Sequence, residues 1–192
     1  MEERQITIDG TTHPMQYPFV ILATQNPIEQ EGTYRLPEAQ LDRFLFKINI
    51  DYPSLTEEVA ILKMMHELKA GKAEAKVEAV ISEEQLKNIR QTVQEIRVED
   101  RLLHYIASIV EQTRNNNSLY LGASTRASLA LLNGSKAMAA IQGRDFVIPE
   151  DIKTLAYPVL GHRVMATPEK EMEGVTEKDI INDLVQKIEI PR

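Results

Sequence analysis

The 192-residue chain has no cysteine and no tryptophan, and aromatic residues make up only 5% of it. Without thiols there is no disulfide framework, no thiol nucleophile and no zinc–thiolate site, and a reducing compartment, the cytoplasm, is the expected location. Basic charge is not in excess: 22 Lys and Arg face 29 Asp and Glu, a net charge of −7. That balance argues against non-specific binding to a nucleic-acid backbone, which rests on cationic contacts. Uninterrupted apolar runs stay as short as Phe19 to Ala23, far below the roughly 20 residues that span a bilayer. The opening Met1-Glu2-Glu3-Arg4 does not read as a signal peptide. What is present, 43% hydrophobic and 27% charged residues, suffices for one ordinary domain or two small ones with a real core and excludes disorder.

The pattern changes near residue 51. Gln5 to Ile8 and Thr11 to Met15 flank Asp9-Gly10, the signature of a β-hairpin with a two-residue turn. Phe19 to Ala23 runs without alternation, as expected of a strand covered on both faces in a parallel sheet. Pro37 and Glu38 suit a helix start, predicted to run to Phe44. Phe46, Ile48 and Ile50 alternate with Lys47, Asn49 and Asp51, predicting a half-covered strand. From Tyr52 onward the period is helical. Ser54 with Glu57 makes a capping box ahead of the stripe Leu55, Val59, Leu62, Met65 and Leu68, ending by Gly71. Residues 71–79 read as a connector. Five more helices are predicted: from Ser82 with Leu86, Ile89, Val93 and Ile96; over Leu103, Ile106, Val110 and Thr113 to Asn115; from Ser124 to Gly143; from Pro149; and over Ile180, Leu184 and Ile188.

Common catalytic signatures are missing. His13, His66, His104 and His162 have no H-E-x-x-H spacing and no acidic pair to complete a metal site. Gly122-Ala123-Ser124-Thr125-Arg126 departs from a nucleophile elbow at its fifth position. Gly71-Lys72 lacks the rest of a phosphate-cradling loop, and no aliphatic run ends in two acids.

Three residues rise above this background. Asn26 follows the carboxyl end of the predicted buried strand, where open α/β sheets bind ligands. An amide there can donate to a phosphate oxygen and accept from an attacking water; the plain alternative is an Asn-Pro turn that ends the strand. Arg126 falls in the first turn of a helix capped by Ser124, where a cation opposes the dipole at about 0.3–1 kcal/mol. Beside free helix amides it would make an anion pocket; otherwise it is a solvated Arg with its stem packed on the bundle. Arg43 closes the helix from Pro37, and Ala39, Gln40 and Lys47 at helical spacing offer it no acid. It either reaches outward or simply complements the helix dipole.

The stretch from Phe19 through Asn26, Pro27, Gly32, Leu36-Pro37-Glu38-Ala39-Gln40-Leu41-Asp42-Arg43 to Phe44 closely resembles the MoxR family of AAA+ ATPases. So do Gly122 to Ala127, Gly143 to Ile152 and Val159-Leu160-Gly161-His162-Arg163. The resemblance implies a mainly α fold: residues 1–51 as the closing part of an α/β P-loop core, with hairpin, sensor 1 strand, arginine-finger helix and last strand, and residues 52–192 as the all-α helical lid. It implies Asn26 as sensor 1, Arg43 as the arginine finger and Arg126 as sensor 2. Arg35 and Thr125 stand where the family usually has Pro, which loosens the loop before the finger helix and the start of the sensor 2 helix. The family's Walker A and Walker B segments have no counterpart in the chain, so it is expected to be part of a longer protein or a truncated product, inactive alone. For a full-length member the resemblance implies ATP and Mg²⁺, a homo-oligomeric ring, expected to be a hexamer, and a chaperone-like remodelling role beside a von Willebrand factor A domain partner; a nucleic-acid motor of a neighbouring AAA+ branch is disfavoured by the net charge of −7. The competing expectation is a non-enzymatic helical module that docks a partner protein.

Overall fold

The computed structural model describes residues 5–15, 18–25, 36–67 and 78–190. At the front, β1 (Gln5–Ile8) and β2 (Thr11–Pro14) pair antiparallel, with Ile6 opposite His13 and Thr7 opposite Thr12. Asp9 and Gly10 join them with φ of 49° and 79°, the two left-handed residues that a type I′ turn requires and that match the twist of the flanking strands. The hairpin is as the Asp-Gly pair predicts.

Neither of the other two predicted strands forms. Residues 19–23 carry no assigned secondary structure, and Val20 and Leu22 are exposed. A covered strand exists only through its neighbours, and the described residues form just two two-stranded sheets, neither of which includes this segment. Residues 46–50 likewise form no strand: Phe46 is half-buried while Ile48 and Ile50 are exposed. The finger helix is also shorter than predicted. It covers only α1 (Glu38–Leu41), after which Arg43 N donates to Gln40 O at 3.2 Å and Phe44 N to Leu41 O at 3.0 Å. These three-residue closures tighten the chain into a turn, and Asp42 leaves the helix toward the bundle.

The capping predictions succeed. Ahead of α2 (Leu55–Glu67), Ser54 N donates to Glu57 Oε2 at 2.8 Å and Glu57 N to Ser54 Oγ at 3.4 Å; the Ser54 hydrogen bonds lower the Glu57 carboxyl below its ordinary range. The stripe Leu55, Val59, Leu62 and Met65 is exposed. Leu68, the predicted end at Gly71 and connector residues 71–77 lie outside the described residues. A second capping box, Ser82 with Gln85, opens α3 (Glu83–Glu95). The helices α4 (Asp100–Arg114), α5 (Thr125–Ile141) and α6 (Pro149–Leu160) follow, with Ser124 capping α5 and Pro149 at the first position of α6. A short pair that the periodicity does not reveal, β3 (Leu119–Leu121) with β4 (Met165–Ala166), and α7 (Pro168–Met172) precede α8 (Glu177–Lys187).

The core lies among α4, α5, α6 and α8. Ile109, Leu131, Ile152, Leu160 and Ile181 are fully buried at its centre. Of the stripe predicted for α4, Ile106, Val110 and Thr113 are buried, whereas Leu103 is exposed and Leu102 is buried in its place. Asp151 fixes the start of α6: Arg144 grips it with two donors at 2.6 and 2.9 Å, and Ile148 N donates to it at 2.9 Å. This fork gives Arg144 and Asp151 of the Gly143–Ile152 stretch a structural role.

Candidate functional site

The site is built where the chain after α1 crosses the helical body. Phe46 lies against α5 at Gly134, where an added Cβ would come within 3.4 Å of the ring and 3.1 Å of Leu155 Cδ1. Lys47 N donates to Pro158 O at 2.9 Å, and Asn49 Nδ2 donates to the Tyr157 hydroxyl at 2.9 Å. Pro158 lies in the last turn of α6, where helix carbonyls have no intrahelical donor, and its carbonyl takes Lys47 N of the strap instead. Residues 42–49 thus form a strap fastened to α5, α6 and the turn that ends α6.

Asp42 is the centre of the fastening. Ser124 Oγ donates to its two carboxylate oxygens at 3.0 and 2.9 Å, Arg163 Nε donates at 3.1 Å, and an Arg126 guanidinium nitrogen lies at 3.3 Å. Ser124 has two duties, since its oxygen also accepts from Arg126 N at 3.2 Å as the cap of α5. The Arg in the first turn of α5, which conflicts with the helix dipole when read locally, is compensated by a carboxylate 84 residues away in sequence.

The two guanidiniums on Asp42 differ in kind. The Arg163 side chain is 3% exposed and that of Asp42 16%. Besides Asp42 Oδ1, Arg163 donates to Asp42 O at 3.0 Å, Phe44 O at 2.5 Å, Leu45 O at 3.2 Å and Val159 O. Burial lowers its pKa, Asp42 pushes back upward, and Arg126 adds a smaller lowering; a guanidinium nonetheless stays charged. Arg126, by contrast, is 43% exposed, so its pair with Asp42 faces water. His162 completes the clamp: its Nε2 lies 3.0 Å from Phe44 O. A carbonyl only accepts, so Nε2 carries the proton. The buried Nδ1 has no partner among the described residues. Burial lowers the His162 pKa, the bond to Phe44 opposes this, and the Arg163 and Lys47 charges lower it further, so the ring is held neutral.

Of the three residues singled out from sequence, Arg126 lines this site and Arg43 is exposed on the turn directly after Asp42. Asn26 lies outside the described residues. Sequence reasoning missed Asp42 and Arg163 as partners, although both stand within the stretches that carry the family resemblance. Chemically, the site offers a half-exposed guanidinium at the opening of a 17-residue helix, which suits an anion. Among the described residues no cluster of three or more His, Asp or Glu side chains could hold a metal ion, and no helix is long and apolar enough to cross a membrane.

Comparison with known proteins places this geometry in context. Residues 1–46 match the family described as "ATPase family associated with various cellular activities (AAA)", and residues 111–184 match the family described as "AAA lid domain". Protein YeaC of Bacillus subtilis is 43% identical over 191 residues, covering 100% of this chain and 59% of YeaC. Chaperone MoxR1 of Mycobacterium tuberculosis is 37% identical over 201 residues, covering 100% of this chain and 52% of MoxR1. A crystal structure of a Cytophaga hutchinsonii protein assigned as an ATPase superposes with a TM-score of 0.88 at 37% identity, covering 100% of this chain and 60% of that one. The chain therefore spans about half to three-fifths of the length of these relatives.

Proposed function

Because this chain belongs to the MoxR family of AAA+ ATPases, we propose that it supplies the nucleotide-sensing and lid portion of a protein that couples ATP hydrolysis to chaperone-like remodelling of partner proteins. Residues 1–51 serve as the closing part of the ATPase core and 52–192 as the lid. The observation that carries the reading is the half-exposed Arg126 guanidinium at the start of α5, positioned by Ser124 and Asp42.

In the full-length protein Arg126 binds phosphate oxygens as sensor 2, its charge and the first amides of α5 serving the same anion. Asn26 orients the attacking water, donating through its amide nitrogen and accepting through its oxygen. Arg43, exposed after Asp42, reaches into the site of the neighbouring subunit in a homo-oligomeric ring, expected to be a hexamer. Such a finger is worth about 10³–10⁵ in rate. ATP with Mg²⁺, when bound, provides the phosphoryl group to be cleaved. The donors at Arg126 fit its phosphates, while the β-phosphate cradle and the metal ligands would be supplied by other parts of the full-length protein, since this sequence carries no G-x-x-x-x-G-K-[ST] loop. The chain by itself is then inactive. Kinship with the family supports a von Willebrand factor A domain protein as the partner, and the lack of cysteine supports the cytoplasm as the location.

The test is a pair of substitutions in the full-length protein. Arg43→Ala is expected to abolish turnover while sparing ATP binding, and Arg126→Ala to weaken binding as well; unchanged hydrolysis in the Arg43 variant removes the trans role. The exposed stripe Leu55, Val59, Leu62 and Met65 on α2 favours a second reading, a non-enzymatic docking module. A full-length gene without a Walker A segment would decide for that second reading.

A further inference from the structure

We propose that Asp42 is an internal stand-in for phosphate: it holds Arg126 by an ion pair and surrenders it when nucleotide binds. The proposal rests on the sensor role of Arg126. Three observations on the page lead to it. One Asp42 carboxylate oxygen, Oδ2, accepts from an Arg126 guanidinium nitrogen at 3.3 Å, the contact a phosphate oxygen would make. The carboxylate keeps other donors besides Arg126, since the buried Arg163 holds Oδ1 at 3.1 Å and the Ser124 hydroxyl lies 3.0 and 2.9 Å from Oδ1 and Oδ2. The Arg126 side is 43% exposed whereas the Arg163 side is 3% exposed, so one guanidinium can exchange partners through water while the other stays sealed in place.

The exchange therefore has a defined direction. An entering phosphate removes one cation from Asp42, and the carboxylate remains bonded to Ser124 and Arg163. The strap is not released. Affinity for nucleotide is set in part by this internal competitor, and Asp42 acts as a positioning residue that keeps the Arg126 side chain parked at the mouth of α5. Because Arg43 is the next residue, the partner change occurs one peptide unit from the proposed finger.

Asp42→Asn tests this in the full-length protein, with binding of a fluorescent ATP analogue as the readout. Asn keeps the size and can still accept from Ser124 and Arg163 but carries no charge to hold Arg126, so ATP is expected to bind about two- to fivefold more tightly, the scale of one half-exposed ion pair. Asp42→Glu, which retains the charge, is expected to return the affinity toward that of the parent. A merely structural role for Asp42 predicts the opposite sign, weaker binding together with a lower melting temperature, and that result overturns the proposal. Should Asp42→Asn not fold, a crystal structure of the unsubstituted full-length protein with a non-hydrolysable ATP analogue decides. Arg126 is expected on phosphate and beyond about 4 Å from Asp42, with Arg163 still on Asp42; Arg126 remaining on Asp42 overturns it. Arg126→Ala run in parallel separates the two ideas: unchanged ATP affinity in that variant defeats the sensor reading itself, whereas weakened affinity there with no tightening in Asp42→Asn defeats only the stand-in.

Discussion

Two arginines share one carboxylate, and they are expected to matter very differently. Replacing Arg163 with Met keeps much of the stem volume but removes donors to Asp42 Oδ1 and to the carbonyls of Asp42, Phe44, Leu45 and Val159. Breaking a buried pair by removing one partner costs about 3–5 kcal/mol, because the other partner is left uncompensated. Here Asp42 keeps Ser124 and Arg126 and is 16% exposed, which places the expected loss at the lower end, about 3 kcal/mol. Arg126→Met removes a 43%-exposed member of the same cluster, and exposed pairs are worth about 0.2–1 kcal/mol. Urea unfolding followed by far-UV circular dichroism, at neutral pH and fixed salt with a common slope, measures both. Adding salt should shrink the Arg126 effect and leave the Arg163 effect nearly intact, since buried pairs are screened little. A loss below about 1 kcal/mol for Arg163→Met, or equal losses for the two variants, would refute the claim that burial decides which arginine fastens the strap.

Three further outcomes are expected. His162 is held neutral with its pKa depressed, so the unfolded chain takes up a proton near pH 6.5 while the folded chain does so only at lower pH. Its stabilising contribution is complete above that ordinary value, falls as pH drops toward the folded value by at most about 1.4 kcal/mol per pH unit, and is constant below it; His162→Gln should remove this share of the acid sensitivity, seen as urea midpoints at pH 7.5 and 5.5, and an unchanged difference between those midpoints counts against it. Gly122→Ala places a Cβ 2.6 Å from Arg114 Cα and 2.8 Å from Arg114 N, backbone that cannot step aside, so a loss of about 1–3 kcal/mol is expected and a melting temperature equal to the parent's contradicts it. Ser82→Ala removes the side-chain half of the reciprocal cap of α3, the bond from Gln85 N to Ser82 Oγ, while the backbone half from Ser82 N to Gln85 Oε1 remains, and it should cost about 1 kcal/mol in the same urea assay.

What was legible in the sequence was what is decided locally. Asp9-Gly10 specified its turn because only two adjacent left-handed residues satisfy it, and Ser54, Ser82, Ser124 and Pro149 marked helix starts because capping acts within four residues. The strands expected at 19–23 and 46–50 were not decidable that way. An apolar run becomes a strand through partners elsewhere, and the second segment binds a helical body through side chains such as Phe46 and Asn49 instead. β3 and β4 are too short to show a period. At the candidate site, the sequence flagged Arg126 as a violation of the helix-dipole rule but could not name its partner, because Asp42 is remote along the chain and obeys no local rule. Arg163 was hidden for the same reason, its acceptors being mostly backbone carbonyls that no residue pattern advertises.

The strap carries a kinetic implication. Its hydrogen bonds to the helices join residues separated by 82 to 121 positions, whereas the helices themselves and their caps close over short spans. Closing so long a loop costs entropy before any bond rewards it, though only about 0.6 kcal/mol for each doubling of length, and distant pairings form late when nearby ones are strong. The helical body is therefore expected to assemble first and to receive residues 42–49 as the last piece, and the turn bearing Arg43 to be the first part to detach and the last to return.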